Sequence, residues 1–529
     1  MIVATSVDDG AELARGAFVN TLAMVASNFR GVFTFLVARL LGRTTLGIFT
    51  IAWAATDLLS KIGVFGLDAS VTTFIARAEA SGERDRSRAL FRFAVALSVS
   101  LSVIVAALAV AAARTFGARL GQPPEVIAAL TIVLWAMPGL ALYKVGTAAS
   151  RGMKVMRHDV YSRGLTETIG TTVVFLAVLA LGARASAPEI AAIGGTLASG
   201  LVAVWLAASL FSDVSRGVRL PLGGARGRQA DPTVPSVRLK PDTTHVTRGL
   251  IAYAAPIAGY DLLNTFILSL DIVMLGLFIG RAPGVTLASV GVYAAAVDVA
   301  SGLRKVSQLF NPIFAPVVAA MAAGADEARA VATYARLARW TLAILMPLVA
   351  VMTLGGAALL SIYGPGFRDG GVWLGIVAIA CATNAFVSLG EVVIMVRRPR
   401  LNLLNSTVTC IVAVGANLWL IPHAGITGAA IGILIPYLIQ GILRHAELRY
   451  VFGWPSRWRE LKRPIAAAAL AAVPALGCRL LVPGIPGQMA AVAVFLGMYV
   501  GGWWLMGLEP ADRAVVEALT RADRAAQVG

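Results

Sequence analysis

The chain has 529 residues, of which 58% are hydrophobic and only 14% charged, with a mean hydropathy of +0.79. Soluble domains carry about 25% charged residues, so a water-soluble enzyme or binding domain is excluded. The formal net charge of +17 raises nucleic acid as a partner, but the basic residues follow a different rule, given below, and no nucleic acid is expected.

Apolar runs of about 20 residues, long enough to cross a ~30 Å hydrocarbon core, recur along the chain. Backbone groups in lipid must be satisfied within their own segment, so these runs are predicted to be helices. Fourteen spans are read, at roughly 17–41, 44–66, 92–113, 124–146, 160–182, 187–211, 249–279, 285–318, 339–362, 371–396, 401–421, 425–444, 464–482 and 488–508. No Lys or Arg precedes Arg15, and the first run is too long for a signal-peptide core, which predicts a retained first span. The three cysteines, Cys381, Cys410 and Cys478, stand singly in apolar runs and the four histidines are scattered, so neither a disulfide framework nor a metal site is predicted.

Orientation follows from Lys and Arg. With connections numbered alternately from the N-terminal tail, one side holds 33 of the 45 basic residues, including Arg77, Arg84, Arg86, Arg88, Arg92 and the six from Arg444 to Arg463. The other side holds eight: Arg39, Arg43, Arg114, Arg119, Arg184, Arg281, Arg368 and Arg479. The positive-inside rule puts the basic side, and both termini, in the cytoplasm. Connections on the opposite side are short, which leaves no room there for an external catalytic domain, and the basic excess suits anionic lipid headgroups. The longest connection, 212–248, is rich in Gly, Pro, Arg and Asp and reads as a flexible linker.

That linker divides six spans from eight, and the two parts echo one another. Gly47-Ile48-Phe49 recurs as Gly291-Val292-Tyr293, 244 positions later, and the same shift places Lys61 on Lys305. Spans 1–2 therefore repeat as spans 7–8, a duplication typical of transporters.

Four basic residues lie within spans: Arg30, Lys61, Arg304 and Lys305. A charge at the bilayer centre costs ~2.5–3.5 kcal/mol on translocon scales, and Arg30, central in span 1, has no helix end to reach for; it faces either a wet cavity or a structural ion-pair partner. Asp57 and Lys61 are one turn apart and form either a self-neutralising pair or part of a site, Lys61 also being within reach of the cytoplasmic interface. Adjacent Arg304 and Lys305 point about 100° apart on an α-helix; Arg304 is favoured for gripping phosphate oxygens, while its neighbour pairs with Asp298 or reaches the headgroups. Span 7 presents Asp261, Asn264 and Asp271 on one stripe behind Pro256 and Gly259, which suits a gate, an ion site or interhelical hydrogen bonding. Glu167 and Glu391 are further acidic candidates, the latter close to Arg397 and Arg398. No phosphate-binding glycine loop is present.

Several motifs add a resemblance. Ala38–Gly42 (ARLLG) precedes Leu46–Phe49 (LGIF), followed by Phe65–Leu67 (FGL) and Ile75–Arg77 (IAR). Asp271–Gly280 (DIVMLGLFIG) leads to Val290–Tyr293 (VGVY), and Asn417–Ala430 (NLWLIPHAGITGAA) is the most specific run. In their order and spacing these resemble the polysaccharide transporter (O-antigen flippase, Wzx-like) family of the MOP flippase superfamily. The resemblance implies an all-α polytopic membrane protein of about fourteen transmembrane helices. Two pseudo-symmetric six-helix lobes (1–211 and 249–446) would surround a central cavity, with the last two helices and a cytoplasmic tail in 447–529. It implies transport of an undecaprenyl-diphosphate-linked oligosaccharide to the outer leaflet of the bacterial inner membrane by alternating access. Lipid II flippases use cavity arginines in helices 1 and 8, for which Arg30 and Arg304 are the positional counterparts.

On this reading no catalytic residue or cofactor is expected. Arg30, Lys61, Arg304 and Lys305 would attract the substrate diphosphate; Asp57, Asp261, Asp271 and Asp298 would bind H⁺ or Na⁺. Expected partners are the lipid-linked oligosaccharide, membrane lipids and a polysaccharide polymerase or chain-length complex. The rivals are a drug/cation antiporter of the same superfamily, disfavoured by the basic intramembrane residues, and a membrane polysaccharide polymerase or ligase, disfavoured by the missing external loop. A scaffolding membrane protein is a third, disfavoured by the cost of those same charges.

Overall fold

An apolar solvent leaves the backbone only itself to bond with, and the described regular elements are helices throughout. The structure, a computed structural model, describes residues 30–212, 243–322, 327–456 and 458–506. In chain order the longer helices are α1 (Arg30–Val64), α2 (Leu67–Ala80), α3 (Arg84–Phe116), α4 (Pro124–Val133), α5 (Met137–Gly152), α6 (Thr168–Ala180), α7 (Ala187–Ser212), α8 (Thr243–Leu277), α9 (Leu287–Ser301), α10 (Asn311–Ala322), α11 (Glu327–Leu354), α12 (Gly371–Arg397), α13 (Pro399–Ala446), α14 (Trp458–Leu481) and α15 (Gly484–Met506). The expected linker over 212–248 and the first part of span 1 fall largely outside the described residues.

Among the described residues, twelve stretches are long and apolar enough to cross a membrane. Two of these, Gly31–Ala80 and Arg400–Val451, have 50 and 52 residues, and at 1.5 Å per residue each would reach about 75 Å, far beyond a ~30 Å core. Each is broken by a glycine outside helical geometry, Gly42 at φ 84° and Gly425 at φ 54°, values that glycine adopts without a Cβ clash. Each therefore holds two spans, which agrees with the fourteen read from the sequence.

Span 8 departs from the expectation of one continuous α-helix. After α9 the chain tightens into 3₁₀ turns at Gly302–Lys305 and Ser307–Leu309 before α10 resumes the α pitch. Gly302 lowers helix stability, and Pro312 removes an N–H and crowds the carbonyl four residues earlier. In a 3₁₀ turn Arg304 and Lys305 point about 120° apart, not the 100° of the α-helical reading.

Packing divides the chain into two compact units. One consists of the chain up to Ile51 together with Phe266 onward; the other is Ala52–Thr265. Both boundaries fall inside helices, α1 and α8. At the core of the second unit is α5, with Gly139, Ala141, Val145, Gly146, Ala148, Ala149 and Gly152 all buried. Small residues allow close approach: a Cβ on Gly139 would lie 2.7 Å from the Leu197 nitrogen, and one on Gly146 would lie 2.7 Å from the Ala203 carbonyl carbon, both on α7. In the first unit α12 has the same place, burying Gly375, Ala378, Ala380, Cys381 and Ala385. On α14, Ala467, Ala471 and Ala475 recur every four residues and pack with Ala491, Phe495 and Tyr499 of α15 and Leu354 of α11. Arg479 Nη1 donates to the Thr353 and Leu354 carbonyls at 2.8 and 2.6 Å, and Tyr499 donates to Ala343 O at 2.9 Å.

The repeat glycines meet in the first unit. A Cβ on Gly47 would fall on the Leu287 carbonyl oxygen and lie 2.9 Å from the Gly291 nitrogen. One on Gly291 would fall on the Arg43 carbonyl oxygen and lie 2.9 Å from the Gly47 nitrogen. Gly47→Leu should therefore separate α1 from α9 and destabilise the protein by about 3 kcal/mol, at the upper end of overpacking costs. Gly415→Leu, where a Cβ meets nothing within 4 Å, should leave the chain monodisperse. Thermal unfolding and size-exclusion of both variants in detergent check this.

Candidate functional site

In the first unit the sequence-predicted acid Asp271, on α8, is 2% exposed. Its Oδ2 accepts a 2.7 Å hydrogen bond from the Tyr293 hydroxyl of α9. Asp271 also borders a cavity of about 10 Å³, together with Asn417, Gly432 and Tyr437 of α13 and the apolar Ile267, Leu270 and Ala413. The Asn417 amide donates to the Ala413 carbonyl at 2.8 Å and, at 3.4 Å, to that of Gly432. Asp271 Oδ1, Asn417 Oδ1 and Tyr437 Oη have no hydrogen-bond partner among the described residues. A space of this size holds roughly one water, and its three unpartnered oxygens, one of them a carboxylate oxygen, suit a small hard cation or a proton.

Arg304 stands beside this cavity and is not one of its walls. Its guanidinium lies 5.8 Å from the Tyr437 ring centroid and is adjacent to Cys381 of α12. The Asp271 carboxylate is within its electrostatic reach. Its Nε and Nη2 are buried without a hydrogen-bond partner among the described residues. The sequence reading placed Arg304 among the diphosphate-binding groups; here its surroundings are Cys381, Tyr437 and Asp271.

In the second unit Asp57 and Lys61 of α1 stand one turn apart, as the sequence predicts. Lys144 of α5 comes up beside Lys61, with Asp57 and Asp68 close by. Its ammonium nitrogen is buried without a hydrogen-bond partner among the described residues. Asp261 of α8 approaches the same group, near Asp68, Lys61 and Lys144. A left-handed turn at Phe65 (φ 53°) and Gly66 (φ 65°) ends α1 and begins α2 next to Asp68; left-handed geometry at a residue other than glycine stores strain. Two ammonium groups and three carboxylates leave one excess negative charge, so one H⁺ or Na⁺ would neutralise the cluster.

The stripe expected on span 7 is thus divided. Asp261 contributes to the cluster of one unit and Asp271 to that of the other. Asp298 of α9 packs against α1, its Oδ2 lying 3.3 Å from where a Gly31 Cβ would stand, and it is in electrostatic reach of Tyr363. Arg30 opens α1, and its side chain lies outside the described residues. Lys305 is half-buried. Glu391, close to Arg397 and Arg398 in the sequence, bonds Arg444 at 2.8 Å, and Arg397 pairs with Glu327 at 2.9 Å. Glu167 ends a π-helical stretch, Val160–Glu167, near Arg163 and Tyr143.

Lys144, Tyr293, Cys381, Asn417 and Tyr437 escaped the sequence reading as site residues. Lys144 carries a signal, being the lone charge at the end of an apolar run. Asn417 opens the most specific motif. Tyr293 is the third residue of the repeat echo. Nothing local distinguishes Cys381 or Tyr437 from ordinary span residues. Among the described residues no group of three His, Cys, Asp or Glu side chains is placed to hold a metal.

Comparison with known proteins adds a second line. The model of a family described as polysaccharide biosynthesis protein matches residues 13–319. No curated protein matches the chain. Among solved structures, the lipid II flippase MurJ in an inward closed conformation is 10% identical with a TM-score of 0.63, over 92% of this chain and 97% of that one. An inward-facing multidrug resistance MATE family transporter of the MOP superfamily is 15% identical with a TM-score of 0.57, over 85% and 96% of the two chains. The Vibrio cholerae MATE transporter VcmN, in a mutant form, is 15% identical with a TM-score of 0.53, over 84% and 98%. At these identities the likeness is one of fold, that of the MOP superfamily.

Removing the Tyr293 hydroxyl should expose the cost of the Asp271 carboxylate. Tyr293→Phe is expected to destabilise the protein by about 1–3 kcal/mol, the cost of an unsatisfied buried polar group. In the Asp271→Asn background the same change should cost less, a coupling read from a double-mutant cycle of thermal unfolding.

Proposed function

We propose that this chain, which belongs to the polysaccharide biosynthesis protein family, is a flippase for lipid-linked oligosaccharide. It would carry an undecaprenyl-diphosphate-linked glycan from the cytoplasmic to the outer leaflet of a bacterial inner membrane, with both termini in the cytoplasm. Transport would proceed by alternating access and be coupled to H⁺ or Na⁺. The observation that supports this reading is the presence of buried cationic nitrogens within the spans of a family tied to polysaccharide synthesis. Lys144 and Arg304 each hold buried nitrogens without a hydrogen-bond partner among the described residues. Such groups cost several kcal/mol unless something anionic visits them.

Each unit then has a division of labour. Basic groups, Lys61 in one and Arg304 and Lys305 in the other, attract the diphosphate, with Arg30 of span 1 beside them in role. Carboxylates, Asp57 and Asp261 in one and Asp271 and Asp298 in the other, take the coupling ion. Charge explains why the two events are linked. Occupying Asp271 with a cation releases Arg304 from its attraction, and a ligand shifts only an equilibrium whose states it binds unequally. A multidrug transporter of the same fold is the alternative, but buried lysine and arginine repel cationic drugs.

A fluorescent polyprenyl-diphosphate glycan in proteoliposomes tests this reading. Arg30→Ala and Lys61→Gln should each lower its transfer at least tenfold while membrane insertion and unfolding temperature stay within a few degrees of wild type. Transfer at the wild-type rate by both variants would sink the cationic roles. For the ion, Na⁺ at 100 times its dissociation constant should stabilise the wild type by about 2.7 kcal/mol and leave Asp271→Asn unchanged. Stabilisation by low pH alone would assign the ion as H⁺.

A further inference from the structure

Away from both polar clusters, the first unit has a cleft of about 80 Å³ where the ends of α11, α12 and α13 approach the start of α14. Its walls include Tyr334, Phe386, Leu448 and Trp454, and His445, Arg449 and Ser456 supply its polar groups. The Tyr334 and Trp454 rings meet edge-on at 5.6 Å. Trp454 is fixed by a 2.8 Å hydrogen bond from its Nε1 to Glu327, whose same oxygen takes Arg397 at 2.9 Å. The Ser456 hydroxyl and His445 Nε2 lie 3.2 Å apart.

We infer that this cleft is a binding site for an anionic phospholipid of the cytoplasmic leaflet, its phosphate held by Arg449 and His445 and its acyl chain against the aromatic wall. Charge complementarity comes first. Six basic residues fall between Arg444 and Arg463 against two acids, Glu447 and Glu460. The described residues lining the cleft include no acid, and three acids of the adjoining segments are engaged elsewhere: Glu327 by Arg397 and Trp454, Glu391 by Arg444 at 2.8 Å, and Glu447 by the Asn405 amide at 2.8 Å. Arg449, exposed at the rim, has no carboxylate within ion-pair distance among the described residues. Depth comes second. A tryptophan and a tyrosine beside a basic cluster mark the headgroup level on the cytoplasmic side read from the sequence. The surrounding surface is lipid-facing, with Ile442 68% and Tyr450 84% exposed. The walls are apolar, so a soluble anion would leave most of them unoccupied.

The full chain, purified in detergent and supplied with phosphatidylglycerol or phosphatidylcholine, tests the proposal by native mass spectrometry and thermal unfolding. Phosphatidylglycerol should stay bound and raise the unfolding temperature; phosphatidylcholine should do neither. The double variant His445→Gln, Arg449→Gln should retain the anionic lipid at least tenfold less well. Arg449→Lys, which keeps the charge, should retain it. Ala335→Trp, which fills the cleft without altering charge, should also lose it. Equal retention by the wild type and both disrupting variants would overturn the site. Equal stabilisation by inorganic phosphate would overturn the lipid assignment.

Discussion

Two stretches of bare backbone, at Gly47 and Gly291, lie against each other with no side chain between them, and the arrangement of α1 on α9 depends on that contact. In lipid there is no hydrophobic gain in bringing two apolar helices together, since the tails are as apolar as leucine. What remains is dispersion, which falls off within an ångström of contact, so helices adhere only where small residues let them approach closely. The same logic recurs in α5 and α12, each the central helix of its unit and each rich in Gly and Ala on the buried faces. Span 4 and span 10 hold equivalent places in the duplicated order, and their shared character follows from a shared packing task.

The buried charges show the duplication at a second level. In one unit Lys61 of span 2 meets Lys144 of span 4; in the other Arg304 of span 8 meets Cys381 of span 10. In each unit a basic group of the second helix of its half stands beside the fourth, although the shift that aligns the halves places Lys61 on Lys305 and not on Arg304. Carboxylates have followed in both, Asp261 from the early part of α8 and Asp271 from its later part. One long helix thus supplies an acid to each cluster.

Much of this was legible in the residues. Hydropathy locates spans because the bilayer enforces helix over every apolar run, and the glycine breaks at Gly42 and Gly425 lie within motifs that stand out on inspection. The 244-residue echo marks Gly47 and Gly291 as equivalent, although sequence alone does not say that they touch. What periodicity does not show is a change of pitch: Gly302 and Pro312 flag weakness in span 8, but the 3₁₀ turns arise from packing around them. Lys144 was passed over because a lysine at a span end is usually at the interface, and only the position of α5 beside Lys61 makes it a buried member of a cluster. The stripe on span 7 shows a related effect. Residues on one face of a 35-residue helix share a direction, but ten positions apart they are about 15 Å apart along the axis and meet different neighbours.

The 3₁₀ stretch from Gly302 to Leu309 has a mechanical meaning beyond pointing side chains. A 3₁₀ turn rises about 2.0 Å per residue where an α-turn rises about 1.5 Å, so the seven 3₁₀ residues are together about 3.5 Å longer than the same residues wound as α. They also advance by about 20° more per residue, or about 140° in all. Span 8 is therefore longer and more tightly wound here than a continuous α-helix, with Arg304 and Lys305 in its first 3₁₀ turn. Relaxation to the α pitch would draw α10 toward α9 and swing the faces of one against the other, an axial stroke and a twist produced without a hinge.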